Sequence, residues 1–334
     1  KLLQAIAEEE DQDAIFLFAD MEKAFDLGSW EYLHEGLCAL GLAEFDEWIR
    51  LAYNHDDPPR RRIYTNGYLG PEFELHSGVA QGCPLSALLF LVITEALSRL
   101  ISNDESLIGV TTGGIRHVVS QYADDLMAIA NKKDLTADCS RGHLMHIQTW
   151  CRGTCQRENK GKREGMLIGR LNKFRSQAPA GILVNDAWLR DGDYLISLGV
   201  PFSNTSTDKW VYERYRIVKA RFARWPSLAG ASLAARNTLA QTKVYGSFRY
   251  YLFSLVFPKN VHQMIKQDVE QILWRSNPVI HSDEKGSGTR THHWIAEHAW
   301  MQPKDEGGAG TMDWDSHVSA YYAQWIRRYL DPRQ

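Results

Sequence analysis

The sequence predicts an α+β fold: a part in which β-hairpins and helices alternate, followed by a mostly helical part. Three observations predict it. Short β-rich runs end in turn signals, longer apolar stretches between them have helical periodicity, and helical periodicity becomes continuous after Asp208. With 334 residues, 44% of them hydrophobic and 24% charged, the chain is long enough for two or more globular units.

Strands and hairpins are predicted where β-prone runs meet turn residues. The run AIFLFADM is short and largely apolar, which is typical of a buried strand. Asn66-Gly67 between two β-prone runs is a strong hairpin signal. The predicted β elements are AIFLFADM (14–21), the hairpin of 60–75, the strand–turn–strand HVVSQYADDLMAIA (117–130), a strand within 159–169 and the hairpin DYLISLGVPFS (193–203).

Helices are predicted from end signals and from apolar spacing. Ser29 and Gly41 suit the start and the end of one helix, and Pro84 suits the first turn of another. Beyond Asp208, apolar residues recur in steps of three and four, which indicates an amphipathic helix. The predicted helices are WEYLHEGLCAL (30–40), LSALLFLVITEALSRL (85–100), a helix around 135–150 and a helical series from 208 to about 274.

Two polar stretches are candidate domain boundaries, SNTSTD (203–208) and HSDEKGSGTR (281–290). No uninterrupted apolar run approaches the roughly 20 residues of a membrane helix. The longest, ALLFLVITEAL (87–97), is short and contains a glutamate, so no membrane partner is expected.

The net charge of −3 hides a strong asymmetry. From Lys1 to Asp57 there are 15 acidic and 3 basic residues, whereas from Asp208 to Arg275 there are 12 basic and 4 acidic residues. A basic helical segment indicates contact with nucleic acid, although a solvated charged face accounts for it equally well. The five scattered cysteines favour a reducing, intracellular compartment.

Three carboxylates stand where predicted strands end. Asp20 closes the first strand, and Asp124 and Asp125 lie at the tip of the 117–130 hairpin. If these strands are neighbours, the three acids converge at one edge of the sheet. Oxygen ligands without His or Cys suit Mg²⁺ or Mn²⁺, and a pair of such ions stabilises an in-line phosphoryl displacement. The alternative is a solvated Asp-Asp turn.

Four motifs occur in a fixed order: FADMEKAFD, AQGCPLS followed by a long helix, YADD, and LGVPF. In order and spacing they resemble reverse transcriptases, most closely those of non-LTR, LINE-type retrotransposons. WPSLAGASLAAR (225–236) and PKDEGGAG (303–310) resemble the thumb of that lineage and the region after it. The resemblance implies a right-hand polymerase palm, an antiparallel sheet with helices on one face, with a remnant of the fingers over 1–203. A helical basic thumb over 204–278 and a post-thumb region over 279–334 would follow.

The resemblance also implies an activity. A reverse transcriptase is an RNA-directed DNA polymerase, so the expected partners are an RNA template, a DNA primer and deoxynucleoside triphosphates, and the expected cofactors are two Mg²⁺ or Mn²⁺ ions. The family's finger motifs lie upstream of the first carboxylate strand, and only 19 residues precede Asp20. We therefore expect that the fingers and the endonuclease region of a longer polyprotein are missing, and that the compartment is the nucleus or cytoplasm. The alternative function is a degenerate, non-catalytic RNA-binding remnant.

Roles carried over from the family fall on particular residues of this chain. The Phe25 ring would exclude the 2′-hydroxyl of an incoming ribonucleotide; alternatively, Phe25 is only a residue of the hydrophobic core. Lys162 would face the leaving pyrophosphate (the alternative is an ordinary loop lysine, since Arg163 replaces the usual small hydroxyl residue). The implied roles are metal binding by Asp20, Asp124, Asp125 and the Met21 carbonyl; catalysis by Asp20, Asp124, Asp125 and Lys162; substrate contact by Phe25, Gln81, Gly82, Leu198 and Gly199; and nucleic-acid contact by Arg214, Lys219, Arg221 and Arg224.

Overall fold

The computed structural model describes residues 2–222, 228, 230–274 and 297–330. The chain forms two compact units, Lys1–Asn204 and Thr205–Gln334. The division falls beside the boundary predicted at 203/204. The second predicted break, at 281–290, lies outside the described residues, and the separation of a thumb from a post-thumb region stays a prediction.

The first unit contains strands and helices in alternation. Its strands are β1 (Asp13–Ala19), β2 (Arg60–Thr65), β3 (Tyr68–Glu74), β4 (Val110–Thr112), β5 (Ile115–His117), β6 (Val119–Tyr122), β7 (Asp125–Asn131), β8 (Glu164–Gly169), β9 (Leu195–Ser197) and β10 (Val200–Phe202). Its helices are α1 (Leu2–Glu9), α2 (Ala24–Leu27), α3 (Trp30–Ala39), α4 (Ala43–Arg50), α5 (Pro84–Ser102), α6 (Gly142–Thr154) and α7 (Arg170–Lys173).

Strand β1 is hydrogen-bonded on both sides within the main sheet. The sheet has the order β6–β7–β1–β8, and every neighbouring pair is antiparallel. This position explains why the sequence of β1 is apolar at successive residues, because side chains of a strand alternate between its two faces. Ile15, Phe16 and Leu17 are each at most 1% exposed, so both faces of β1 are buried.

The two faces of the main sheet pack against different elements. On one face, Leu33 of α3, Phe90 of α5 and Ile147 of α6 belong to the main core together with Leu17. On the other face, Ala7 of α1 and Leu195 of β9 join Phe16 in a smaller core. The predicted antiparallel sheet with its main helices on one face is therefore confirmed, and α1 and β9 cover the second face.

Helix α5 begins with Pro84 in its first turn, as predicted, and is 19 residues long. By length and composition alone it is long and apolar enough to cross a membrane, which corrects the expectation that every apolar run is too short. The apolar composition also has an explanation within this unit. Leu89, Phe90, Ile93 and Leu97 of α5 are buried in the main core.

The predicted hairpins at 60–75, 117–130 and 193–203 are confirmed, as is the helix that follows Ser29. The helix predicted around 135–150 is displaced, because α6 begins only at Gly142. The Asp134 carboxylate accepts backbone N–H groups of Ile108 and Gly109, at 2.9 and 2.7 Å, and so holds the preceding segment in a loop. Gly142 has φ +75, and a Cβ there would lie 1.9 Å from the Asp134 carbonyl oxygen.

The second unit is helical over its described residues. Its helices are α8 (Asp208–Phe222), α9 (Leu233–Leu239), α10 (Gly246–Leu252), α11 (Lys259–Trp274), α12 (Glu297–Met301) and α13 (Trp314–Leu330), with a π-helical segment at Ala240–Tyr245. The apolar stripe predicted for α8 is buried: Val211, Tyr215, Val218 and Phe222 are each at most 6% exposed.

Candidate active site

Two of the predicted carboxylates lie side by side where β1 and β7 meet. Asp20 directly follows β1, and β7 begins at Asp125. Since Ala19 pairs with Leu126 in the antiparallel register, the next residues, Asp20 and Asp125, face each other across the strand pair. The two sequence motifs, more than 100 residues apart in the chain, thus meet at one edge of the sheet.

The third carboxylate, Asp124, lies in the tight turn between β6 and β7. Tyr122 pairs with Asp125, so the turn consists of Ala123 and Asp124. Ala123 has φ 53, a left-handed conformation that is unfavourable for a residue with a Cβ. Backbone strain of this kind is concentrated at functional sites.

The three acids influence one another electrostatically. The pKa of Asp125 is raised, first because its carboxylate is partly removed from water and then because of the negative charges of Asp124 and Asp20. A cation bound between them would relieve this repulsion, and carboxylate oxygens are the donors that Mg²⁺ and Mn²⁺ prefer. The donor chemistry therefore fits a divalent cation. Among the described residues, however, no three His, Cys, Asp or Glu side chains are gathered into a ready metal site.

A cleft of about 630 Å³ opens at this edge of the sheet. Its walls bring together five predicted site residues from four separate segments of the chain. They are Asp20, Asp125, Lys162, Leu198 and Gly199. Asp124 is in the adjoining turn, outside the residues that line the cleft, and the Met21 side chain is buried in the main core.

Lys162 is the cation closest to the first carboxylate in this cleft. Its Nζ donates a hydrogen bond to Asp20 Oδ2 at 3.0 Å. The side chains of Lys162 and Asp20 are 68% and 38% exposed, and such solvated ion pairs contribute little to stability. The contact therefore matters for its position, because it places the Lys162 ammonium group beside the Asp20 carboxylate.

Leu198 and Gly199 form the two-residue turn between β9 and β10. Their φ values are 50 and 73, so both residues are left-handed, as the type I′ turn of a tight hairpin requires. Glycine adopts this conformation readily, whereas leucine does so at a cost. The turn thus holds an apolar side chain, 47% exposed, at the cleft in spite of local strain.

Phe25, Gln81 and Gly82 form a second group, outside the cleft lining. Phe25 is half-buried and stacks on Phe90, with ring centroids 4.5 Å apart. The backbone carbonyl of Phe25 accepts the N–H of Val79 at 2.7 Å, which joins its segment to the loop before Gln81. Gly82 has φ +86 and open space where a Cβ would be. The structure brings these three predicted residues near one another without testing their predicted roles.

The basic residues predicted to contact nucleic acid differ in their surroundings. Arg221 is exposed. Lys219 is held within its unit, with its Nζ 3.3 Å from Asp268 Oδ1. The guanidinium carbon of Arg214 lies 5.2 Å from the centre of the Tyr251 ring, and its Nε is buried. Arg224 lies outside the described residues.

One feature of the site was not predicted from the sequence. Arg163 and Glu158 form an ion pair in which both side chains are only 6% exposed. The pair flanks the turn that carries Lys162. A separation of five residues does not match the helical repeat, so no periodicity in the sequence signals the contact. The one signal was Arg163 itself, a charged residue where the family usually has a small hydroxyl residue.

A β-hairpin with paired aspartates beside a strand-end aspartate, in an antiparallel sheet backed by helices, defines the class of the polymerase palms. The particular family follows from comparison with known proteins. The sequence profile of the family Reverse transcriptase (RNA-dependent DNA polymerase) matches residues 2–196, more than half of the chain. The chain belongs to the reverse transcriptase family.

Two relatives are similar to this chain. The Transposon TX1 uncharacterized 149 kDa protein of Xenopus laevis is 26% identical over 319 residues, which are 94% of this chain and 22% of the relative. A retrovirus-related Pol polyprotein from a type-2 retrotransposable element of Drosophila melanogaster is 29% identical over 115 residues, 34% of this chain and 10% of that protein. The chain thus spans a minor part of each relative, and the similarities support a reverse transcriptase of the non-LTR retrotransposon type.

Proposed function

We propose that this chain carries the catalytic palm of an RNA-directed DNA polymerase, which extends a DNA primer on an RNA template with deoxynucleoside triphosphates. The observation that carries the proposal is the convergence of Asp20, Asp125 and Lys162 on one cleft. Family membership makes polymerisation the expected chemistry, and these three residues are the ones to which the resemblance assigns catalysis. The nucleus or cytoplasm is the compartment proposed with it.

Divalent metal ions are general to this family, and we propose two Mg²⁺ or Mn²⁺ ions here. Asp20, Asp124 and Asp125 would hold them, together with the backbone carbonyl of Met21. Bound ions would neutralise the charge that develops on the transferring phosphoryl group. The raised pKa of Asp125 is consistent with this assignment: partial burial is its main cause, and the negative charges of Asp124 and Asp20 add to it.

The residues of the chain would position the substrates around this edge. The primer 3′-hydroxyl would lose its proton to solvent water, and its oxygen would bond to the α-phosphorus of the deoxynucleoside triphosphate. The bond from that phosphorus to the bridging oxygen would break, and pyrophosphate would leave with the electron pair. Lys162 would neutralise or protonate the departing pyrophosphate, and its Nζ lies 3.0 Å from Asp20 Oδ2, which supports this role. Leu198 and Gly199 would seat the primer end, and Phe25, Gln81 and Gly82 the incoming nucleotide.

The second candidate function is a non-catalytic, RNA-binding remnant of such an enzyme. It is favoured by one observation: the described carboxylates do not gather into a ready three-ligand metal site. In that case the fold and the basic second unit would be retained for binding alone.

Primer extension on a poly-rA template with an oligo-dT primer, in Mg²⁺ or Mn²⁺, separates the two candidates. We expect the wild-type chain to extend the primer. Asp20→Asn or Asp125→Asn should reduce extension by at least about 10²-fold, because the metal ions that would neutralise the transferring phosphoryl group are no longer held. Asp57→Asn, at an exposed position outside the cleft, is the matched control and should retain full activity. Template binding without extension would support the remnant, and extension that survives Asp20→Asn would remove the site assignment.

A further inference from the structure

The turn that carries Lys162 is anchored at its start by backbone pairing with the Asp20 segment. Asn159 N donates to Asp20 O at 2.9 Å, and Glu22 N donates to Arg157 O at 2.8 Å. Met21 and Glu158 form an isolated antiparallel bridge between these two hydrogen bonds. The residues just before the turn therefore extend the sheet alongside the first carboxylate.

The turn is also fixed where it ends. A single 3₁₀ turn spans Lys160–Lys162, and Lys162 N donates to Asn159 O at 3.0 Å. Glu164 then enters β8 and pairs with Phe18 of β1. Both ends thus lie on the same sheet edge as Asp20, and the turn between them brings Lys162 to the cleft wall, beside Glu164 at the start of β8.

The Arg163–Glu158 ion pair closes the base of this turn. Arg163 Nε donates to Glu158 Oε1 at 2.7 Å and a terminal guanidinium nitrogen donates to Oε2 at 2.6 Å, so the contact is bidentate. The other terminal nitrogen donates to the Ile182 carbonyl at 2.8 Å, which ties the base to a separate loop. Buried ion pairs add little net stability, because desolvation offsets their attraction, and fixed geometry is the better explanation for one.

We propose that Arg163 and Glu158 are positioning residues that hold Lys162 at the Asp20 edge of the cleft, where it acts on the leaving pyrophosphate. The action of Lys162 on the leaving pyrophosphate rests on the proposed function. Its geometric part concerns only the order of the 158–163 turn. Neither residue is among those that line the cleft, so both act through Lys162.

Hydrogen–deuterium exchange tests the geometric part without any need for activity. The double variant Glu158→Leu with Arg163→Met removes both charges, so no single buried charge is left to unfold the chain. We expect backbone amides of 159–163 to exchange at least about tenfold faster in it, with the rest of the unit unchanged. The matched control is Arg116→Met, which removes a guanidinium that also bonds to backbone carbonyls, at 2.7 to 3.0 Å, away from the cleft. Unchanged exchange over 159–163 would overturn the proposal.

A double-mutant cycle with Lys162 tests the functional part in single-turnover nucleotide incorporation. The double variant Glu158→Leu with Arg163→Met should slow incorporation at least about fivefold in the wild-type background. It should have no further effect in the Lys162→Met background, since coupled residues are not additive. Equal slowing in both backgrounds would show that the pair serves the fold and not Lys162. Absence of incorporation in the wild type would overturn the proposed function, and exchange would still decide whether the pair orders the turn.

Discussion

The ring of Phe25 lies against the ring of Phe90, with centroids 4.5 Å apart and planes inclined by 19°. Phe90 is buried in the main core, whereas Phe25 is half-buried, so the core fixes one face of a ring whose remaining surface is open. A ring held in this way cannot move aside easily. It is suited to limit what fits beside it.

Replacing Phe25 should therefore relax the choice of sugar. With Phe25→Ala we expect the preference for deoxynucleotides over ribonucleotides to fall by about 10²-fold, the discrimination that a pocket achieves against one added hydroxyl. Single-nucleotide incorporation with each sugar measures it. Phe90→Leu, which keeps the Phe25 ring but removes the stack that holds it, should lower the preference by less than Phe25→Ala does. An unchanged preference in Phe25→Ala would assign Phe25 to the core alone.

The strained turn at Ala123 gives a prediction in which stability and activity move in opposite directions. Ala123→Gly should raise the free energy of unfolding by about 0.5 kcal/mol, because relief of the φ 53 conformation exceeds the entropic cost of glycine. It should lower primer extension, since Asp124 loses its fixed backbone. Thermal unfolding and primer extension measure the two effects. Asn66→Gly, at φ 50 in the β2–β3 turn, should leave extension unchanged, and a parallel loss there would contradict the prediction.

Charges on α8 should differ in their effect on nucleic-acid binding. Arg221 is exposed, so Arg221→Gln should weaken binding of an RNA–DNA duplex and reduce the slope of log affinity against log salt by about 1. Lys219 is paired with Asp268, so Lys219→Gln should mainly lower stability. Fluorescence anisotropy over a series of salt concentrations distinguishes them. An unchanged slope for Arg221→Gln would remove this residue from the predicted nucleic-acid surface.

A pH-dependent contribution to stability is expected at Asp104. The Ser106 hydroxyl, then His146, lower the pKa of its carboxyl to about 2. A lowered folded pKa stabilises above the unfolded value of 3.8, and this stabilisation is lost as the pH falls through about 2. At pH 7, Asp104→Asn should cost about 1 kcal/mol, because solvent screens the interactions of this partly exposed carboxyl. Urea unfolding from pH 7 to pH 2 should show the gap to wild type closing below pH 4, and a constant gap would contradict it.

The sequence alone predicted the elements whose signals are local. Ser29 caps its helix, Asn66-Gly67 forms its hairpin turn, and Pro84 opens α5, because each signal acts within a few residues. The start of α6 was mispredicted because it depends on Asp134 binding backbone of the distant β4 region. Contacts of that kind are invisible to periodicity.

In the candidate site, too, some features were predictable from the sequence and others depend on contacts between distant residues. Asp20 and Asp125 were predicted to meet, and the strand register places them opposite each other. The position of Lys162 beside Asp20 and its support by the Arg163–Glu158 pair depend on side-chain packing across a loop. No spacing rule describes such packing, so only the structure reveals it.

The position of β1 has a consequence for how the site responds to heat. A strand paired on both edges exchanges its amide protons only when the whole unit opens, whereas two-residue turns such as 123–124 and 198–199 fray on their own. Asp20 therefore stays in register while Asp124 and Leu198, in the two hairpin turns, loosen around it. Gentle warming should cost activity reversibly, well below the melting temperature, and cooling should restore it without any refolding step.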